Sequence, residues 1–153
     1  MKKFNKMMNI LTTKRLIHLV FFILLTFNLF AQDQKIKVVF DLTSSSPVVQ
    51  KTAIRHISMM AKAYPDSEFE MVMYSGAGKL ATYENKELAL RLTKVSQMDN
   101  AKVVLCEATM RKLGLNKNDL VKGVQTVPDG ILEIALKQAN GWGYIKEGLN
   151  SSN

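Results

Sequence analysis

From residue 35 onward the apolar positions of this chain switch between two spacings. "KIKVVFDL" (35–42) is a β-branched apolar run and predicts a strand. "TSSSP" follows, with Ser46 placed as a helix N-cap and Pro47 at the first helical position. Val49, Ala53, Ile57, Met60, Ala61 and Tyr64 then recur at helical spacing, one apolar face of a helix that "PDS" ends. "EFEMVMYS" (68–75) alternates as a second strand, and "GAGK" reads as a turn. "ENKELALRLTKVSQM" (84–98) is a second amphipathic helix with Leu88, Leu92 and Val95 inward. "AKVVLC" (101–106) is a continuous apolar strand, followed by the short helix "EATMRKLG" with Gly114 as its C-cap. "NKNDL" caps a further turn. "VKGVQTV" (121–127) is the fourth strand, "PDGILEIALKQAN" (128–140) a helix opening on Pro128, and "GWGYIKEG" (141–148) a last short strand.

Strands separated by helical stretches of 10–15 residues imply right-handed crossovers and a mainly parallel sheet. The predicted architecture is α/β: a three-layer α/β/α domain over residues 32–148 with about five strands, followed by a frayed tail at 149–153.

The first residues do not fit that pattern. Lys2, Lys3, Lys6, Lys14 and Arg15 form a basic stretch with no acid before Asp33, and "LIHLVFFILLTFNLF" (16–30) is a largely apolar run ending at the small residue Ala31. This is the three-part pattern of a secretory signal over residues 1–31, and it predicts export to the periplasm or outside the cell. The run is shorter than the roughly 20 residues of a spanning helix. It is interrupted by His18, Thr26 and Asn28, so an uncleaved anchor is the second reading. Membrane contact is expected only through this segment before cleavage. Leu29, three residues before the expected cut, is not the preferred alanine, so the cut site is less well defined than the signal.

That segment changes the meaning of the charge. The chain carries 21 basic and 13 acidic residues, a net of +8. Removing the five cations of the signal leaves 16 against 13, a net of +3 on 122 residues. No clustered basic stripe remains, which speaks against nucleic acid as a partner. One cysteine, Cys106, cannot form an internal disulfide, so the exported domain is held together by packing, and its thiol is buried, paired with another chain, or reactive.

In open parallel sheets, sites form beyond the carboxyl ends of the strands. That rule selects "DLTSSS", "SGAGK", "CEATM" and "VPDG". "SGAGK" lacks the length and trailing Ser/Thr of a phosphate loop. Asp41 and "TSSS" could contact a ligand, but Asp and Ser there are ordinary capping residues. No cluster has metal-ligand spacing, and no cofactor is expected. Cys106 stands at the start of a helix, where a thiolate is favoured, with Glu107 beside it opposing. Position alone leaves a reactive and an inert core cysteine equally open. His56, the one histidine outside the signal, reads as a packed helical residue rather than half of a Cys–His pair. Trp142 between two glycines reads as a packing anchor or a subunit contact.

"KVVFDLTSSSP", "EMVMYSGAG", "KVVLCEATMRKLGL" and "NDLVKGVQTVPDGILEIALKQANGWGYIK" occur in the order and spacing of the DsrE-like (DsrE/DsrF/DsrH-type) sulfur-relay family, which the chain resembles over residues 35–147. Cys106, Thr109 and Met110 and the "GW-x-YIK" ending are the most specific parts. The resemblance implies an α/β/α fold assembled as a homo-oligomer, trimer or hexamer. It also implies a persulfide on Cys106 that takes sulfur from a donor protein and passes it to an acceptor. On that pattern the N–H groups of Glu107 and Ala108 stabilise the sulfur anion and Thr109 hydrogen-bonds nearby. Whether the chain is an enzyme stays open: a sulfurtransferase-like carrier is one reading, a non-catalytic oligomeric binding or assembly module with a buried cysteine the other. The best-understood family members act in the cytoplasm, whereas this chain carries an export pattern.

Overall fold

In the computed structural model, residues 35–148 are described; the signal expected over 1–31 and the tail expected at 149–153 lie outside them. Five strands, β1 (Lys37–Leu42), β2 (Glu68–Met73), β3 (Ala101–Cys106), β4 (Gln125–Val127) and β5 (Gly143–Glu147), form one sheet in the order β4-β3-β2-β1-β5. Every pairing is parallel. The helices are α1 (Pro47–Ala63), α2 (Lys86–Ser96), α3 (Glu107–Leu113) and α4 (Gly130–Ala139). The first four strands are laid down side by side in one direction. The last crossover returns across the sheet to the far edge, and with right-handed connections this sends α4 to the opposite face.

The two faces are therefore unequal. On one, Val38, Phe40, Leu42, Phe69, Met71, Met73, Val103 and Leu105 pack against the apolar stripes of α1 and α2 in one large core. On the other, the buried apolar core is Val39, Val72, Val104 and Ile134, flanked by Tyr74, Val127 and Trp142. Because side chains alternate along a strand, each strand feeds both cores.

Several boundaries differ from the pattern-based reading. The expected fourth strand at 121–127 pairs only over Gln125–Val127. Val121 is diverted, its N–H donating to the Ala81 carbonyl at 2.7 Å, and Gly123 turns the chain at φ 90°. "SGAGK" is not a tight turn but the start of a 3₁₀ helix over Ser75–Ala81 with Ala77, Gly78, Leu80 and Ala81 buried. The final helix opens at Gly130 rather than Pro128, because the Asp129 carboxylate accepts the N–H groups of Ile131 and Leu132 at 2.8 and 3.1 Å. Ser46 is the N-cap of α1 by backbone conformation, without a side-chain capping bond.

Gly114 closes α3 in the left-handed region, φ 67°, with Leu115 N–H bonded back to the Met110 carbonyl at 3.0 Å. A Cβ there meets no neighbour, so the backbone alone sets the cost of a side chain. Gly114→Ala is expected to destabilise by about 1 kcal/mol in urea unfolding.

Candidate functional site

Cys106 is at once the last residue of β3 and the N-cap of α3, in extended conformation (φ −65°, ψ 124°), and its thiol makes no capping hydrogen bond. Leu105 points into the large core and Val104 into the small one. Alternation therefore turns Cys106 toward the thinly covered face. There it is only 5% exposed. The cover is the first turn of α4: a Cβ on Gly130 would lie 3.2 Å from Cys106 Cβ, 3.3 Å from Val72 Cγ1 and 3.4 Å from Tyr74 Cβ. A side chain here would require these neighbours to give by a few tenths of an ångström.

The side chains of Glu107 and Thr109 each make a tertiary contact. The Thr126 hydroxyl donates to Glu107 Oε1 at 2.9 Å, tying the start of α3 to β4. Thr109 Oγ1 accepts the Ser75 N–H at 2.9 Å, which holds Ser75 at φ 54°, an unusual conformation for a residue with a side chain. Glu107 and Thr109 thus brace the end of β3 to its two neighbours. His56 lies on α1, across the sheet from Cys106, with Nδ1 2.9 Å from Oε1 of the buried Glu147. A Cys–His pair is not assembled.

A polar network that the sequence reading did not place stands beside the thiol. Asp41, 4% exposed, sits in the middle of it. Its Oδ2 accepts the hydroxyls of Tyr144 at 2.8 Å and Tyr74 at 3.3 Å, and its Oδ1 accepts Lys146 Nζ at 2.9 Å. Lys146 Nζ also donates to Thr43 Oγ1 at 2.9 Å. β1 and β5 are the neighbouring strands whose connections leave on opposite faces, the place where ligands collect in open α/β sheets. Tyr74 follows Met73, the partner of Leu105, and so stands level with Cys106 on the next strand. Cys106, Tyr74, Asp41 and the Tyr144–Lys146 pair form a row across β3, β2, β1 and β5.

Burial, then the charge and hydrogen bond of Asp41, and last the nearby Cys106 raise the Tyr74 pKa above its ordinary value. Burial, followed by the hydrogen bond to Asp41 and its charge, pushes Tyr144 up to about 12. Both phenols therefore remain protonated donors near neutral pH. The clue in the sequence was an acid inside the apolar run "KVVFDL", since a buried carboxylate requires partners. Tyr144 and Lys146, two apart on a strand, supply them from one face.

The sequence model of the DsrE/DsrF-like family matches residues 29–146. No curated protein matches the chain. Solved structures share the fold, among them the following three. The protein of unknown function MTH1491 from Methanobacterium thermoautotrophicum is 22% identical, with a TM-score of 0.67 over 73% of this chain and 99% of its own. The ychN protein from E. coli is 16% identical, with a TM-score of 0.62 over 74% and 98%. The conserved protein of unknown function BT1422 from Bacteroides thetaiotaomicron is 12% identical, with a TM-score of 0.60 over 72% and 93%.

Asp41→Asn would leave Lys146 without its counter-charge and weaken both tyrosine bonds. Loss of these charge-assisted bonds is expected to cost about 2 kcal/mol in urea unfolding. Tyrosinate absorbance should show Tyr144 titrating below about 12, yet still above its ordinary value because burial remains.

Proposed function

The chain belongs to the DsrE/DsrF-like family, which is associated with sulfur relay, and we propose that it is an exported sulfur carrier that holds sulfane sulfur as a persulfide on Cys106. The observation that carries this reading is the place of that thiol. It ends a strand on the carboxyl rim of a parallel sheet, makes no capping hydrogen bond, and lies beside the phenol of Tyr74. In the transfer, the Cys106 thiolate attacks the outer sulfur of a donor persulfide or polysulfide. A new S–S bond forms on Cys106, the S–S bond of the donor breaks, and the donor leaves as a thiolate or shortened polysulfide that takes up the proton Cys106 released. Delivery to an acceptor thiolate is the same exchange in reverse, with no external oxidant. Tyr74, kept protonated, is a hydrogen-bond donor within the same row of side chains.

A homo-oligomer, trimer or hexamer, is part of the same proposal. Ile131, Leu132 and Leu136 stand exposed on the outer side of α4, and Tyr144 and Ile145 are exposed on the edge strand β5. Wild-type protein is expected to sediment as a trimer or hexamer, and Ile131→Lys combined with Leu136→Lys to shift it toward monomer; a wild type that sediments as a monomer overturns this part.

One observation favours a second reading, an assembly or binding module with a structural cysteine: the thiol is 5% exposed beneath Gly130. Incubation of the signal-free protein with inorganic polysulfide separates the two. The carrier gains about 32 Da, one sulfur atom, in its intact mass, and Cys106→Ser gains nothing. Protein that reacts with a thiol reagent in the native state yet takes up no sulfur would sink the carrier reading. A thiol that reacts only after denaturation supports the structural one.

A further inference from the structure

The thin face of the sheet has a second buried acid, at the other end of α4 from Cys106. Glu70 on β2 is 1% exposed. Its Oε2 accepts Lys137 Nζ at 2.7 Å, and its Oε1 has no hydrogen-bond partner. Lys137 lies in the last turn of α4, where its ammonium also stands 4.1 Å over the Trp142 ring and 3.6 Å from Glu133 Oε1. Burial raises the Glu70 pKa against the opposing pull of Lys137, so the pair is held in place with incomplete compensation.

Gly130, Glu133, Ile134 and Lys137 are spaced i, i+3, i+4, i+7 and share the inner stripe of α4. Of these only Gly130 and Ile134 are fully buried, and Ile134 is the one large apolar side chain the helix commits to the sheet. The hydrophobic hold on α4 is therefore small, and among the described residues the Glu70–Lys137 pair is the side-chain hydrogen bond that joins the helix to the strands. Gly130, at the start of the same helix, stands against the Cβ of the buried Cys106. The two ends lie about 10 Å apart along a rigid rod.

We propose that the Glu70–Lys137 ion pair is a latch that keeps α4 seated on the sheet, making both of them positioning residues that set how readily reagents reach the thiol of Cys106. Releasing the latch strands the Glu70 carboxylate in an apolar site, and lifting α4 brings water to it. The same motion withdraws Gly130 from Cys106. This builds on the reading of Cys106 as a working thiol, but its test reads thiol access and not sulfur transfer.

The test is the rate at which the native, signal-free protein reacts with an aromatic disulfide reagent, with the oligomeric state of every variant checked by light scattering. Lys137→Met, which keeps the length of the stem without the charge, is expected to react at least about tenfold faster than wild type, at a rate nearly independent of low urea concentrations, because local opening exposes little surface. Lys137→Arg, which keeps the cation, should restore the slow rate. Leu92→Ala empties a fully buried site in the opposite core and serves as the control for lost stability. It should leave the rate near wild type. The latch is overturned if Lys137→Met reacts at the wild-type rate, or if Leu92→Ala, matched to it in urea midpoint, reacts as fast. Should Lys137→Met fail to fold, Glu70→Gln carries the same comparison with the same outcomes. Wild-type protein that takes up no polysulfide sulfur, together with these labelling rates, upholds the latch and removes the sulfur reading.

Discussion

A sheet built in the order β4-β3-β2-β1-β5 can spend three of its connections on one face, and a single return crossover must cover the other. That constraint runs through the whole molecule. One face acquires two long amphipathic helices and a core of Phe, Met, Leu, Ile and Val side chains. The other acquires α4, ten residues long, over a core of four buried apolar side chains. A surface so thinly covered tolerates polar groups that the thick core would reject, provided that they are paired. Both buried strand acids of this face, Asp41 and Glu70, do so through lysines that arrive late in the chain, Lys146 and Lys137. The Cys106 thiol lies on the same face.

The distribution of charge follows from that asymmetry. Neither acid is held by a sequence neighbour: Asp41 meets Lys146 across 105 positions, and Glu70 meets Lys137 across 67. The last quarter of the chain therefore supplies the counter-charges for the first two strands. Until β5 and α4 are in place, both carboxylates sit in apolar strands without a counter-charge. The N-terminal strands and the C-terminal unit depend on each other for folding, since each leaves ionic groups that only the other satisfies.

What could be read from the sequence divides along the same line. The alternation of strands and helices, the Gly114 cap, the inward stripe of α2 and the position of Cys106 on the strand-end rim all rest on local periodicity, and the fold obeys them. Glu68 and Glu70 look equivalent in "EFEMVMYS", yet Glu68 is exposed and Glu70 buried, and only the second is paired with Lys137 of α4. Tyr144 and Lys146 carry no local signal either. They become site residues through the non-consecutive pairing of β5 with β1, which no spacing rule announces. For Glu107 and Thr109 the positions were legible but the partners were not: Thr126 on β4 and Ser75 at the start of the 3₁₀ helix are brought there by tertiary contacts. The shortened β4 has the same cause, since Val121 bonds to Ala81 instead of extending the ladder.

The contact of Gly130 with Cys106 also has a consequence for how a loaded molecule would be told from an empty one. The space against the Cys106 Cβ is already filled by a helix backbone that no side chain holds off. A second sulfur atom on Cys106, a residue only 5% exposed, has to be housed among packed neighbours, and close-packed interiors yield as whole elements rather than atom by atom. Cargo on this thiol would therefore act as a wedge. The outward face of α4, with Ile131, Leu132 and Leu136, would change its height above the sheet according to whether the site is full, turning an invisible buried modification into a change of surface relief.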